Sequence, residues 1–425
     1  MDRRDFLKMC AVAGLGIAAP VGLIKGARAE DAAFGGPYYI VFNADGGWDT
    51  SYLMDPKGVD GINRLYREGD IRTHGNHKFA PTAGQFEVGM SNEDFFAKYG
   101  NDLLVLNGLD YSVNNHSPCA RYMATGKLDS LAYPTFAALI AACKGSDQPL
   151  AYLSFGNYSA TGNLVPLARI PYMTQLNELA AADLVNGRDQ FPYHDDFVHA
   201  HIERALAEQH DARGAKPQLP RVARAQSMLY GSQLNSKALS RVRPYIPSSQ
   251  PEARLARQAD IALASFKAGV CVSANLNIGQ FDSHDNNDPD QMRLIPEFLA
   301  GIDYTVERAE SLGIRDKLVI VIQSEMSRTP WYNSGQGKDH WSIGSIMFMG
   351  PGIRGNRVLG ATDEGQYLVP INPQTLALDS QNGVRARPEH IHLALREYAG
   401  IENHALSGHF PLGVKAGEKL VGLWD

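Results

Sequence analysis

Residues 38–51 read Tyr38-Tyr39-Ile40-Val41-Phe42-Asn43-Ala44-Asp45-Gly46-Gly47-Trp48-Asp49-Thr50-Ser51. A short apolar run follows Gly-Pro and breaks abruptly into acids and glycines. That pattern predicts a buried strand that ends in a polar loop. Four further runs repeat it: Leu103–Asn107, Cys271–Ile278, Lys317–Ile322 and Ile346–Met349. Helical periodicity lies between them, over Ser117–Thr125, Pro134–Cys143, Pro251–Ala268, Asp290–Leu312 and Pro388–Tyr398. Near-continuous apolar strands alternating with helices predict an α/β fold, with a mostly parallel sheet covered on both faces. Residues 185–250 are rich in Arg, Gln, Ala and His with few strong apolar runs, and read as a helical insertion or cap.

In a parallel sheet, ligands bind beyond the carboxyl ends of the strands, and there the sequence is polar. Asp45 and Asp49 follow the first run. Asp282, Ser283 and His284 follow the third. Glu325 and Arg328 follow the fourth, and Lys338-Asp339-His340 precede the fifth. Carboxylates and imidazoles are the ligand types of Zn²⁺ and Mn²⁺, whereas Ca²⁺ prefers oxygen alone. Converging on one edge, such groups would form a divalent-metal site of one or two ions. Singly, each has a plainer reading: an Asp at a strand end commonly caps a turn, and a loop His is commonly just hydrogen-bonded. The second run leads to His116-Ser117-Pro118. Ser117 can cap a helix with Pro118 at its first position, and the positive end of that helix would suit an anion.

The 425 residues carry 40 Lys+Arg, 46 Asp+Glu and a net charge of −6. That balance argues against a nucleic-acid partner. No apolar run after the N-terminus reaches the roughly 20 residues of a transmembrane helix. Residues 1–29 read as an export signal. Arg3-Arg4-Asp5-Phe6-Leu7-Lys8 resembles a twin-arginine motif, an apolar stretch runs from Met9 to Ile24, and Ala27-Arg28-Ala29 offers a cleavage site. Its removal would leave residues 30–425 as a single domain with 35 Lys+Arg against 44 Asp+Glu, a net −9. The expected location is then periplasmic or extracellular, with the twin-arginine translocase as a partner during export. The remaining cysteines, Cys119, Cys143 and Cys271, are too few and too widely spaced for a disulfide framework.

Taken together, Gly46-Gly47-Trp48-Asp49-Thr50, Asp282-Ser283-His284, Ser324-Glu325-Met326-Ser327-Arg328-Thr329-Pro330 and Gly337-Lys338-Asp339-His340 resemble the alkaline phosphatase/sulfatase superfamily. Within it they are most similar to domain-of-unknown-function family 1501, a branch exported with twin-arginine signals. The resemblance implies an alkaline-phosphatase-like α/β/α sandwich and a site with metal-bound Asp and His. Asp45 or Asp49 would be the first-strand ligand. Asp282, His284 and His340 would match the superfamily's ligands, and Glu325 would replace one of its Asp residues. The superfamily's nucleophile position falls on His116, and Met326 takes the place of a metal-binding His. His116 is then a metal ligand, a general base or nucleophile, or an inert relic. Arg328 could bind the anionic oxygens of a phosphate or sulfate; its plainer reading is a loop salt bridge. His74, His77, His390 and His392 read as surface residues. Trp48, Phe281 and Trp341 either wall the pocket or pack in the core. The implied function is metal-dependent hydrolysis of phosphate or sulfate esters, with a small anionic ester as substrate; the competing one is a non-catalytic secreted binding or assembly protein with the same fold, for which a protein partner is expected.

Overall fold

The computed structural model describes residues 33–84, 89–156, 158–181, 184, 191–234 and 236–425. The expected export signal, residues 1–29, lies outside the described residues, as do residues 185–190 of the expected insertion. The chain folds around an eight-stranded sheet. In chain order its strands are β1 (Tyr38–Ala44), β2 (Leu104–Asp110), β3 (Tyr152–Ser154), β4 (Leu167–Ala168), β5 (Ser273–Ile278), β6 (Leu318–Ser324), β7 (Ile343–Met349) and β8 (Arg357–Leu359). In space they run β8-β2-β7-β6-β1-β5-β3-β4. All five expected strands are present within a few residues. The sheet is parallel apart from β7, which pairs antiparallel with both β2 and β6.

The strands read as apolar runs because both faces are buried. On β1, Tyr38, Ile40, Phe42 and Ala44 belong to one apolar layer; Tyr39 and Val41 belong to the other. On β6, Ile320 and Ile322 divide from Val319 and Val321 in the same way. Strand alternation therefore splits each run between two cores. The first core takes Phe95 and Phe96 of α1 (Asn92–Tyr99). It also holds the apolar faces of α7 (Arg254–Lys267) and α8 (Asn287–Ser311). The second takes Cys119 and Met123 of α2 (His116–Thr125), together with α3 (Phe136–Gly145) and α9 (Pro388–Tyr398). Three further helices, α4 (Met173–Ala180), α5 (Asp196–Gly214) and α6 (Pro220–Leu234), lie between β4 and α7 in sequence. No residue of α5 is buried. Cys119, Cys143 and Cys271 are free. Among the described residues no helix is long and apolar enough to cross a membrane.

One expectation is corrected here. His77, His390 and His392 are buried rather than on the surface. His77 holds the Gly100 carbonyl through Nε2 at 2.9 Å, and His392 holds the Met123 carbonyl through Nε2 at 2.8 Å. Burial keeps His392 neutral, with its pKa lowered to about 4. Trp48 and Phe281 take the second of their two readings and pack edge-to-face on Phe298 in the core.

Candidate metal centre at the carboxyl edge

β1, β5 and β6 run in register and end side by side: Ala44 pairs with both Ile278 and Ser324. The loops after them therefore start at one edge. Close approach fixes their course. Gly46 has φ +114°, and a Cβ there would sit 2.5 Å from the Asp282 amide. A Cβ on Gly337 would collide with the His284 carbonyl. The antiparallel β7 matters here. Because it begins at the edge where β6 ends, the whole 325–342 connection stays at that edge, and His340 arrives there ahead of its strand.

His116, Asp282, His284 and His340 each offer a ligand atom, and these atoms all lie within 4.8 Å of one another. Asp282 stands at the centre. Its Oδ1 is 3.2 Å from His284 Nε2 and 3.3 Å from His340 Nε2, and its Oδ2 is 3.3 Å from His116 Nε2. The other ring nitrogens all face acceptors. His284 Nδ1 meets Asp339 Oδ1 at 2.8 Å, His340 Nδ1 meets the Asn114 carbonyl at 2.9 Å, and His116 Nδ1 meets Glu325 Oε1. With the ring proton on Nδ1, each neutral imidazole turns an Nε2 lone pair inward. Three Nε2 lone pairs and a carboxylate then face the same point. His284 Nε2 and His340 Nε2 lie 2.9 Å apart. A pair so close is held by a proton shared in an N–H···N hydrogen bond or by a cation between the nitrogens. Two ligands about 2 Å from one ion stand about 3 Å apart, so the donor set fits a divalent metal. Carboxylates or carbonyls behind ligating imidazoles are the usual support of such sites.

Electrostatics prepares the same state. Burial works against ionisation of Asp282, but the Arg328 guanidinium bonded to it, with His116 and His284 nearby, holds its carboxyl below the usual range. Burial, with Arg328 and His116 adding positive charge, keeps His340 below the usual imidazole value despite the Asn114 carbonyl. Hydrogen bonds from His284 and Asn333 lower Asp339.

The other expected site residues are placed as follows. Glu325 is largely buried, accepts the Gly46 N–H at 3.2 Å and backs His116. Asp45 accepts a hydrogen bond from Asn277 Nδ2 and lies outside the four-residue group. Asp49 also lies outside it and is corrected to a buried loop anchor. Its Oδ2 takes Lys338 Nζ at 2.6 Å and Asn287 Nδ2 at 3.1 Å, while Oδ1 takes the Ser51 amide and hydroxyl. Arg328 is fully buried. Nε donates to the Gly47 carbonyl at 2.9 Å, Nη1 to the Lys338 carbonyl at 3.2 Å, and Nη2 to Asp282 Oδ1 at 2.8 Å and the Gly46 carbonyl. It locks three loops and orients Asp282. Met326 is buried in the second core. Trp341 stacks edge-to-face with Trp331 and Tyr367. Asp339 and the Asn114 carbonyl were not anticipated. The only signal for Asp339 was its place beside His340; a backbone carbonyl leaves none.

Residues 197–379 match the model of a family described as "Protein of unknown function (DUF1501)". The family resemblance carried by the motifs is thereby shown over the stretch that holds Asp282, His284, Glu325 and His340. No curated protein matches the sequence. Several solved structures are similar in architecture. One is a sulfatase from Pseudoalteromonas sp., with 11% identity, 99% of this chain and 78% of that chain covered, and a TM-score of 0.40. Another is a phosphonate monoester hydrolase of Agrobacterium radiobacter, with 11% identity, 90% and 78% coverage, and a TM-score of 0.32. A third is the lipoteichoic acid synthase LtaP from Listeria monocytogenes, with 8% identity, 84% and 76% coverage, and a TM-score of 0.35. At these identities and scores they assign neither a residue nor an activity.

Proposed function

We propose that this protein is an exported hydrolase of phosphate or sulfate esters that works with one divalent metal ion, Zn²⁺ or Mn²⁺. The observation that carries this reading is the convergence of three imidazole Nε2 atoms and the Asp282 carboxylate, each ring backed by an acceptor. A bound ion would supply Lewis-acid polarisation of an ester oxygen. His116, Asp282, His284 and His340 hold it. Glu325, Asp339 and the Asn114 carbonyl fix the rings, and Arg328 aims Asp282. His116 opens α2, whose N-cap Asn115 makes no side-chain cap bond. The positive helix end thus faces the cluster and favours an anionic ester. Both obvious cations are committed elsewhere, Arg328 to carbonyls and Asp282, Lys338 to Asp49. Neutralising the ester therefore falls to the metal and the helix end. With both nitrogens of His116 engaged, the ligand reading of this residue is favoured over a covalent one.

The test is turnover. Metal-loaded protein should hydrolyse at least one aryl phosphate or aryl sulfate, and His284→Ala and His116→Ala should abolish it while staying folded. Metal-loaded protein inactive on both ester classes would leave a non-catalytic binding role. Export and location are tested by following the full chain in cells, with Arg3-Arg4 replaced by Lys-Lys as the blocked control.

A further inference from the structure

Two helices of the segment between β4 and α7 take little part in either core. No residue of α5 is buried. It packs chiefly on α6, and α6 packs on α5 and on residues 236–245. The half-buried row on α5 is His199, Leu206 and His210; on α6 it is Ala223, Gln226 and Tyr230. His210 stacks on Tyr230 with ring centroids 4.3 Å apart, so these rows face each other and the pair forms an antiparallel hairpin. Other apolar side chains of the hairpin are left to water. Val222, Ala225 and Leu229 are all exposed, and their i, i+3, i+7 spacing makes one stripe along α6. Helical geometry puts Ile202 of α5, also exposed, on the same broad face, beside the row that meets α6. Phe191, Tyr193 and Phe197 at the start of α5 are exposed as well, Phe197 by 71%. A contiguous apolar face of this kind marks an interaction site.

Charge decides what covers it. Residues 191–234 hold five acids, Asp195, Asp196, Glu203, Glu208 and Asp211, against five bases, Arg204, Arg213, Lys216, Arg221 and Arg224. A hairpin of zero net charge lacks the basic excess that draws an amphipathic surface to anionic lipid. The charges are instead polarised along its length. The open half, residues 191–203 and 228–234, carries three acids and no Lys or Arg; the half at the turn, residues 204–227, carries the five bases and two acids. A second copy turned end for end sets the positive half of each hairpin against the negative half of the other. A two-fold axis crossing the helices makes both contacts at once.

We propose that this face joins two copies of the protein: the α5–α6 hairpins pack face to face and antiparallel over Ile202, Val222, Ala225 and Leu229, with Asp196 of each copy near Arg213 and Lys216 of the other.

The experiment is sedimentation equilibrium of the full chain. The protein should have twice the single-chain mass at about 10 µM. Val222→Glu with Leu229→Glu puts charge into the face and should leave a monomer. Charge reversal then tests the pairing itself. Asp196→Lys alone, and Arg213→Glu with Lys216→Glu in a second variant, should each weaken the dimer at least about tenfold, and mixing the two variants should restore it. All these side chains are exposed in the single chain, and circular dichroism checks that each variant is folded. A wild-type monomer up to about 100 µM, a dimer unmoved by folded Val222→Glu with Leu229→Glu, or reversed variants that stay apart when mixed overturns the proposal. So does a monomer that co-sediments with vesicles of phosphatidylcholine and phosphatidylglycerol through Val222 and Leu229, which gives the face to lipid.

Discussion

Two polar clusters share the carboxyl edge of the sheet, and they are built on opposite principles. In the first, Asp49 and Lys338 are both fully buried, and Asn287, Ser51, Gln291 and Ser283 complete a network of matched donors and acceptors. In the second, His116, Asp282, His284 and His340 are part-exposed, and a ligand atom of each lies within 4.8 Å of the others. The first has nothing left to bind and holds the loops. The second turns ligand atoms from four residues to one point. The lesson is that an Asp, a Lys or an Arg in a site loop says little by its type. What separates a strut from a ligand is whether its partners already satisfy it.

The sharpest way to break this contrast is to unbalance the matched cluster. Lys338→Met strands Asp49 in the core and should cost about 3–5 kcal/mol, read as a lower urea midpoint. A loss below about 1 kcal/mol would mean that the pair holds nothing. The next effect separates buried from site imidazoles. His392 has its pKa lowered to about 4 by burial, so the folded protein takes up its proton later than the unfolded chain, whose imidazole titrates near 6.5. Stability is full above about pH 6.5, falls as pH drops towards 4 and levels off below, by up to about 3 kcal/mol. Urea unfolding at pH 7 and pH 5 should show this loss, and His392→Gln should shrink it. An unchanged slope in the variant would assign the loss elsewhere.

The remaining two predictions concern the unmatched cluster. Metal at about 100 times its Kd should add about 2.7 kcal/mol to stability, and chelation should remove that increment. His284→Ala should abolish the metal-dependent gain while leaving metal-free stability within about 1 kcal/mol of wild type. A gain surviving in His284→Ala would place the metal elsewhere. Smallest in its effect, Asp339→Ala frees the His284 ring without removing a ligand. Metal affinity should fall about 10–100-fold by competition with a chelating dye. Unchanged affinity would mean that the 2.8 Å contact does not tune the site.

Much of this was legible in the sequence. Hydrophobic runs ending in Asp, Glu and His mark strands whose loops carry chemistry, and Asp282, His284, His340 and His116 were all expected at one edge. Three things were hidden, each for a physical reason. Asp45 and Asp49 look alike in sequence, and only the arrival of Lys338 from 289 residues away makes Asp49 a strut. His390 and His392 sit two apart on α9, a spacing that reads as surface, yet α9 is buried on both sides by α2 and the C-terminal segment and takes both rings inward. The reversed direction of β7 leaves no mark in an apolar run, because burial on both faces erases the alternation that would reveal it. That reversal is what places His340 in the site.

The account stands on one claim: that the four convergent groups hold a metal ion. Elemental analysis of the protein purified without chelators, beside His284→Ala prepared identically, tests it most directly. The account predicts close to one Zn²⁺ or Mn²⁺ per wild-type chain and none in the variant. A folded wild-type protein that carries no transition metal, and takes up none on dialysis against Zn²⁺ or Mn²⁺, would contradict it.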